Sequence, residues 1–382
     1  MTEQKICIIG DGLAGLSAAI ILSQKNIKID LYGNTKKKNK FKSDNRTTAI
    51  SESNYQFVKK EFKFNNQIFF WACKKINLFF EDEKKIINFI NFTEKNKNLM
   101  YIFQNKDLKK RLDKIILKIK NIKLIKKKIE DINHEEGSIS LGKKKVFYDL
   151  IILSIGSQSK LYNKIEQGRS IKKNYEEFAL TTIIKHNYKI ENVSQFFLKE
   201  GPLAILPFHK RMFSTVWSVS SSFFQENSKD LKKILSQKLR VLLKKSGIKN
   251  VTNIQSFPIN LNLKTKYFKK NILILGDGLH AVHPMAGQGF NLVLRDIKKL
   301  SELMSKILKL GLLIKDSFLL KDFFYSRKPE NNILGLGINL TNLFFKDNKY
   351  FSSIRKVILN NVNNFGFIKK VSQSISDKGI SF

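Results

Sequence analysis

The chain has 382 residues, a formal net charge of +38 and 42% apolar side chains. That apolar share excludes a disordered chain, and the length suffices for two domains with buried cores. Lysine is spread along the whole chain among Ile, Asn and Phe, with no RNP motif or zinc-finger spacing. No nucleic-acid partner is expected, and an anionic membrane surface fits the charge better.

The two cysteines, Cys7 and Cys73, have no metal-ligand spacing, so no metal is expected. Cys7 falls in an apolar run and reads as a small buried residue of a chain kept in a reducing compartment. Gly10-Asp11-Gly12 interrupts the apolar start, unlike a signal peptide. No run reaches the ~18 apolar residues of a spanning helix. Ile333 to Phe345 is broken by Asn339, Thr341 and Asn342. The expected location is cytoplasmic, soluble or at the periphery of the inner membrane.

In chain order, Lys5 to Ile9 predicts a strand and Leu16 to Gln24 a helix, with Gly10-Asp11-Gly12-Leu13-Ala14-Gly15 between them. Strand, G-x-G-x-x-G and helix in succession are the dinucleotide fingerprint. Gly10 makes the turn, Gly12 admits the pyrophosphate and Gly15 lets helix and strand pack closely. The alternative is a glycine-rich turn without a ligand. Ile27 to Tyr32 predicts the second strand. The fingerprint places an acid at its end for the adenosine ribose. Here the position is Gly33, followed by Asn34, while Asp30 lies within the strand. Thr35 to Lys42 reads as a lysine-rich loop. Arg46 to Ser51 leads into a helix that runs towards Lys60, and Arg46 there is either a phosphate clamp or a solvated loop residue.

Trp71 to Phe80 and Ile86 to Phe92 predict strands that open a second domain. Tyr101 to Gln104 is a further strand, and Asn105 starts a helix through Leu117. Ile122 to Ile132, Ser138 to Leu141, Lys145 to Tyr148 and Asp149 to Leu153 predict strands, the last ending at Ser154-Ile155-Gly156-Ser157. Phe178 to Lys185, Phe196-Phe197, Ala204 to Pro207 and Met212 to Val219 continue the second domain. Asp230 to Lys245 is a helix within it.

Asn271 to Ile297 reads NILILGDGLHAVHPMAGQGFNLVLRDI. Ile272 to Leu275 suits a buried parallel strand, and Gly276-Asp277 turns the chain at its C-terminal end, the edge where open α/β sheets bind ligands. Asp277 is an acceptor for ligand hydroxyls. Gly287 and Gly289 let the backbone approach a flat ligand. A helix from Asn291 points its N-terminus at the site, which favours an anion. Reduced flavin, with a polyol chain and an anionic ring, satisfies both ends. Ile297 to Leu313, Ser317 to Arg327 and Ser353 to Ile375 predict further helices.

These segments together resemble the FAD-dependent aromatic hydroxylases, and most closely the ubiquinone-biosynthesis hydroxylases. Gly10 to Gly15 is similar to the family's first FAD motif and RTTAIS at Arg46 to Ser51 to its Arg-x-x-Ala-Leu-Ser segment. Gln104 to Leu112 is similar to its Glu-Asn-Arg-x-Leu segment, and Glu200 to Pro207 to a substrate-domain strand. The stretch from Gly276 to Asp296, with HP-x-AGQG-x-NL-x-LRD, resembles the second FAD motif.

The resemblance implies an α/β fold: a Rossmann-like FAD-binding domain of the p-hydroxybenzoate-hydroxylase type, an inserted antiparallel β-sheet substrate domain and C-terminal helices. Residues 1–68, 97–163 and 270–315 would form the FAD-binding domain, 69–96 and 164–269 the substrate domain, and 316–382 a helical segment. It implies that Gly10, Gly12, Leu13, Ala14, Gly15, Arg46, Asn105, Gly276, Asp277, Pro284, Ala286, Gly287, Gln288, Gly289 and Asn291 hold FAD. NAD(P)H would reduce the flavin, and one oxygen atom of O2 would pass to a small hydrophobic aromatic substrate, a prenylated phenol. Association with a membrane or a biosynthetic complex would accompany it. No side chain is assigned a catalytic role, including His280 and His283. The family carries an Asp-Gly pair, associated with FAD and NAD(P)H, where this chain has Ile155-Gly156. With Gly33, that departure leaves two other readings: an accessory flavoprotein of a biosynthetic complex, or another FAD oxidoreductase such as a prenyl reductase.

Overall fold

The computed structural model describes residues 4–33, 44–64, 69–83, 85–156, 170–188, 190–244, 248–284, 287–316 and 318–345, with positions 159, 161, 162, 165, 374, 375, 377 and 379. The chain begins with β1 (Lys5–Ile9), α1 (Leu13–Ser23) and β2 (Lys28–Tyr32). β3 (Thr47–Ser51) runs directly into α2 (Glu52–Glu61). β4 (Trp71–Cys73), β5 (Lys75–Asp82), β6 (Lys85–Thr93) and β7 (Met100–Gln104) lead to α3 (Asn105–Ile116). β8 (Ile122–Ile125), β9 (Asp131–Asn133), β10 (Ser138–Leu141), β11 (Lys144–Phe147) and β12 (Leu150–Leu153) follow. Next come β13 (Ile171–His186), β14 (Val193–Leu198), β15 (Gly201–His209) and β16 (Met212–Ser220). α4 (Ser221–Glu226), α5 (Leu231–Leu243), β17 (Ile248–Val251) and β18 (Gln255–Leu263) continue. β19 (Phe268–Lys269), β20 (Ile272–Ile274), a 3-10 turn (Gly276–Gly278), β21 (His280–Ala281), α6 (Gln288–Lys309) and α7 (Leu319–Phe345) complete the described elements.

The first sheet has the order β19-β20-β12-β1-β2-β8. Its strands are parallel except for the edge pair β19–β20. Ile6, Cys7, Ile8 and all of β12 are buried, as expected of a parallel sheet covered on both faces. α1 is buried along most of its length and packs against α3 and α6, so its sequence is apolar all round rather than on one stripe. Cys7 is a buried free thiol whose pKa burial pushes up, as a small core residue requires.

The large sheet has the order β21-β18-β13-β16-β15-β14-β5-β6, with β17 also paired to β13. The hairpin β5–β6 joins it through a parallel pairing of β5 with β14, although β14 lies far along the chain. The remaining pairings in it are antiparallel. Its core gathers Leu180, Phe196, Leu203, Phe213 and Trp217 under α5. A small sheet β3-β7-β4 and another, β11-β10-β9, complete the set.

The structure adds two strands and moves two helix bounds. Thr47–Ser51 is a strand, because β7 offers it an antiparallel partner from Gln104 to Met100. β18 is a strand although Pro258 and three Asn or Gln residues obscure its alternation; its pairing with β13 decides it. α6 starts at Gln288 rather than Asn291, after Gly287 adopts a left-handed conformation with φ +64°. α7 continues past Arg327 to Phe345 with Pro329 inside it. The helix expected at Ser353 to Ile375 lies outside the described residues apart from its last two positions.

Candidate flavin site

The fingerprint glycines are used in three different ways. Gly10 has φ +120°, and its N–H donates to the Tyr32 carbonyl at 2.8 Å, so it closes β1 against β2. A Cβ on Gly15 would lie 1.9 Å from the Gly10 carbonyl oxygen, so only glycine lets α1 pack there. A Cβ on Gly12 would meet nothing within 4 Å. The space above Gly12, at the N-terminus of α1, is therefore left open to a ligand rather than required by the protein. Leu13 and Ala14 pack onto the core, and Ala14 lies beside Gly276, whose φ of +78° makes the turn after β20. The two motifs thus meet at one sheet edge.

Next to that edge opens a cavity of about 780 Å³. Arg46, Asn105, Asp277, Pro284, Gln288 and Gly289 line one end, together with Gly287 and Asn291. Asp277 is exposed to this space, so its carboxylate can accept from ligand hydroxyls. A Cβ on Gly289 would meet nothing within 4 Å, which leaves a flat ligand room against the first turn of α6. The free N–H groups of that turn belong to Gln288, Gly289 and Phe290, three residues earlier than expected. The fingerprint glycines and Gly276 adjoin this wall but do not line it, and Ala286 lies outside the described residues.

The neighbouring side chains are held by a dense set of bonds. Arg46 forks onto Asp44, with Nε to Oδ1 and Nη2 to Oδ2 both 2.9 Å, and stacks over Phe257. The bond to Asp44 raises its pKa against the effect of burial, with a smaller contribution from Asp277. Its remaining N–H donors stay available to an anion. Asn105 Oδ1 accepts from the Thr48 hydroxyl at 2.6 Å. The Asn291 side chain is engaged within the protein. Its Nδ2 donates to the Ala49 carbonyl at 3.0 Å, and its Oδ1 accepts from Ser51 N at 2.9 Å and Asn54 Nδ2 at 2.8 Å. It fastens α6 to β3 and α2, and so positions the end of α6 at the cavity wall.

The histidines separate. His283 is buried, 3.1 Å from Glu177 Oε2, and edge-on to Tyr175, away from the cavity. His280 lies on the cavity wall, and its Nε2 is 2.6 Å from Asp296 Oδ2. Asp296 Oδ1 in turn accepts from Arg327 Nε at 2.6 Å. Burial works to raise the Asp296 pKa, but Arg327 and His280 outweigh it and hold the carboxyl below its usual value. Arg327 also pairs with Glu330 and donates to Asn331 Oδ1 at 3.0 Å. This buried network clamps α7 to α6, and no periodicity in the sequence marks it.

The far end of the cavity is apolar. Ile76, Leu78, Phe89, Phe197, Val216 and Phe345 face it, from strands of the large sheet and the end of α7. Phe345 stacks on Phe197 with centroids 3.6 Å apart and planes at 15°. Thr181 and Gln195 are the buried polar side chains among these strands, and the Thr181 hydroxyl has no hydrogen-bond partner among the described residues. The sequence reading missed Phe345 and Asp377. Asp377 reaches the cavity from the C-terminal end, and its Oδ1 accepts from Ser53 N at 2.8 Å. Among the described residues no group of His, Cys, Asp and Glu could hold a metal, and no helix is long and apolar enough to cross a membrane.

A family model described as glucose inhibited division protein A matches residues 5–206, and one described as squalene epoxidase matches 210–375. The ubiquinone biosynthesis monooxygenase COQ6 of Dictyostelium discoideum is 25% identical, over 97% of this chain and 90% of its own length. The ubiquinone hydroxylase UbiL of Rhodospirillum rubrum is 27% identical over 52% of this chain and 47% of its own. Among solved structures, Klebsiella pneumoniae HpxO, complexed with FAD and uric acid, has a TM-score of 0.76 at 14% identity, covering 98% of this chain and 97% of that one. With the open Gly12 turn and the exposed Asp277 carboxylate, these likenesses make FAD the cofactor of this protein. The chain belongs to the FAD-binding family that the first model describes and, with these relatives, to the FAD-dependent hydroxylases of ubiquinone biosynthesis.

Proposed function

We propose that this monooxygenase hydroxylates a prenylated phenolic precursor of ubiquinone, using NAD(P)H and O2. The observation that carries the substrate is the division of one cavity into a polar end and a long apolar end that has no ionisable side chain among its described lining residues. An aromatic head would lie where the two ends meet, and its prenyl tail would run between the large sheet and Phe345. On this reading 1–68, 97–163 and 270–315 form the flavin-binding part, 69–96 and 164–269 the substrate part, and 316–382 the C-terminal helical segment. Gly10, Gly12, Leu13, Ala14 and Gly15 receive the pyrophosphate, which Arg46 clamps with its remaining donors. Asp277 accepts from the ribityl hydroxyls, and Asn105 holds β3 through Thr48. Pro284, Gly287, Gln288 and Gly289 pack beside the ring, and the first turn of α6, held by Asn291, stabilises negative charge on it.

Bound FAD supplies the redox chemistry, taking a hydride from NAD(P)H and activating O2. The protein's contribution is position and exclusion. The apolar wall keeps water from the reacting centre, which limits loss of activated oxygen before it reaches the ring. Thr181 and Gln195 are the groups on that wall able to orient a phenol hydroxyl. A chain with this basic surface and a greasy substrate works at a membrane periphery or in a biosynthetic complex, with no nucleic acid involved.

A second reading is favoured by Ile155, which packs on the core at the position where the family resemblance leads one to expect an Asp. In it the chain binds FAD but oxidises NAD(P)H poorly, as an accessory subunit. Anaerobic NADPH added to the flavin-loaded protein separates the two: bleaching of the band near ~450 nm supports the enzyme, and a persistent band supports the accessory subunit. Turnover under 18O2 then tests the reaction. A prenylated phenol gaining one labelled oxygen is expected, and a reduced prenyl chain without oxygen gain would overturn hydroxylation.

A further inference from the structure

The fingerprint's acceptor for the adenosine ribose is absent at Gly33, and the structure supplies another. β1 and β2 are adjacent and parallel, with Ile9 paired to Tyr32. The Gly10 N–H to Tyr32 carbonyl bond continues that register, so Gly10 and Gly33 come next at the sheet edge, and Asp11 follows directly on Gly10. A Cβ built on Gly33 would lie 3.1 Å from Asp11 Oδ2 and 3.2 Å from Asp11 Cβ and Cγ. The Asp11 carboxylate therefore fills the corner that a side chain at position 33 would enter.

Two other acids are placed differently. Asp30 is buried within the sheet, where it accepts from the Tyr148 hydroxyl at 2.7 Å and pairs with Lys5 at 2.7 Å. Asp277 follows β20, on the opposite side of β1 from β2 in the sheet order. A dinucleotide with its pyrophosphate at Gly12 extends one half towards Asp277 and the cavity, and the other towards β2. Asp11 lies on the β2 side. A carboxylate at that place can accept from a pair of vicinal hydroxyls.

We propose that Asp11 accepts the hydroxyls of the adenosine ribose of FAD, delivering from the first strand the carboxylate that the fingerprint takes from the second. This rests on the flavin reading of the site. It also means that acids at 11 and 33 exclude one another, since both would occupy one corner.

The test titrates deflavinated protein with FAD and with its 2′-deoxyadenosine analogue, following flavin fluorescence. Wild type should bind FAD about tenfold or more tightly than the analogue, the scale of one hydrogen bond to a charged group. The isosteric Asp11→Asn and the shorter Asp11→Ala should bind FAD about tenfold to a hundredfold more weakly, and should discriminate less between the two ligands. Gly33→Glu alone should weaken binding, whereas Asp11→Ala with Gly33→Glu should recover affinity and discrimination together. Unchanged or tighter FAD binding by both Asp11 variants, or discrimination equal to wild type, would overturn the assignment. Wild type that binds no FAD at all would instead overturn the flavin reading, and this proposal with it.

Discussion

Gly12 and Gly15 are three residues apart, yet a side chain would act at each for a different reason. At Gly12 it would enter open space, so Gly12→Val should give a folded protein that has lost FAD. Circular dichroism together with the flavin spectrum of the purified variant checks this, and a folded variant with full flavin would place the pyrophosphate elsewhere. At Gly15 the same change drives a Cβ into the Gly10 carbonyl, and folding itself should fail. Asp277 is the other residue whose effect falls on the ligand. It is exposed, so Asp277→Ala should spare the fold and weaken FAD by about tenfold to a hundredfold, the loss of a charged hydrogen bond of roughly 1.5–3 kcal/mol. Equilibrium dialysis against FAD measures it, and full occupancy at low micromolar FAD would remove Asp277 from the site.

Helices α6 and α7 are joined by charges rather than by apolar surface alone. Asp296 is fully buried between His280 and Arg327, and Arg327 reaches Glu330 one turn further along its own helix. Removing one member leaves its partner charged in a dry place, so Arg327→Met should destabilise the protein by about 3–5 kcal/mol in a denaturant titration. An effect below 1 kcal/mol would show that α7 is held by other contacts. The same network fixes an acid dependence. Because the folded Asp296 carboxyl titrates below its usual range, its stabilisation is complete above about pH 4 and is lost as the pH falls through the folded value. The stability difference between wild type and Asp296→Asn should therefore be flat near neutrality and shrink in acid. A difference that grows in acid would contradict the sign of the shift. The clamp also explains why α7 survives Pro329. The proline lies between Arg327 and Glu330, whose buried side chains hold both flanking turns against α6.

On the proposed reading of the site, FAD would bridge parts that the chain builds separately. β1 and α1 come from the beginning, β3 and Asn105 follow, and Asp277 and α6 come from near the end. A ligand bound by all of these and by no unfolded chain stabilises the fold by mass action, about 2.7 kcal/mol at a hundredfold excess over its dissociation constant. Removing FAD should lower the thermal midpoint by several degrees, and adding it back should restore the midpoint in a concentration-dependent way. A midpoint indifferent to FAD would mean that the cofactor contacts only one of these parts.

Much of this was legible in the sequence because the relevant constraints are local. A strand–glycine turn–helix is set by backbone sterics over a few residues, and so are the turn after β20 and the all-apolar parallel strands. These marked the glycine turns after β1 and β20, which the fold brings to one sheet edge. What lay beyond the sequence depended on partners distant along the chain. β3 and β18 are strands because β7 and β13 hydrogen-bond to them, α7 is long because Arg327 finds Asp296, and Asn291 turns inward because Ser51 and Asn54 await it. Asp11 is the sharpest case: its carboxylate reaches the corner beside Gly33 only when β1 and β2 are aligned. Local stereochemistry therefore determined which turns could receive a ligand, whereas tertiary pairing decided which side chains face it, since a side chain's direction is settled by the neighbours it packs against.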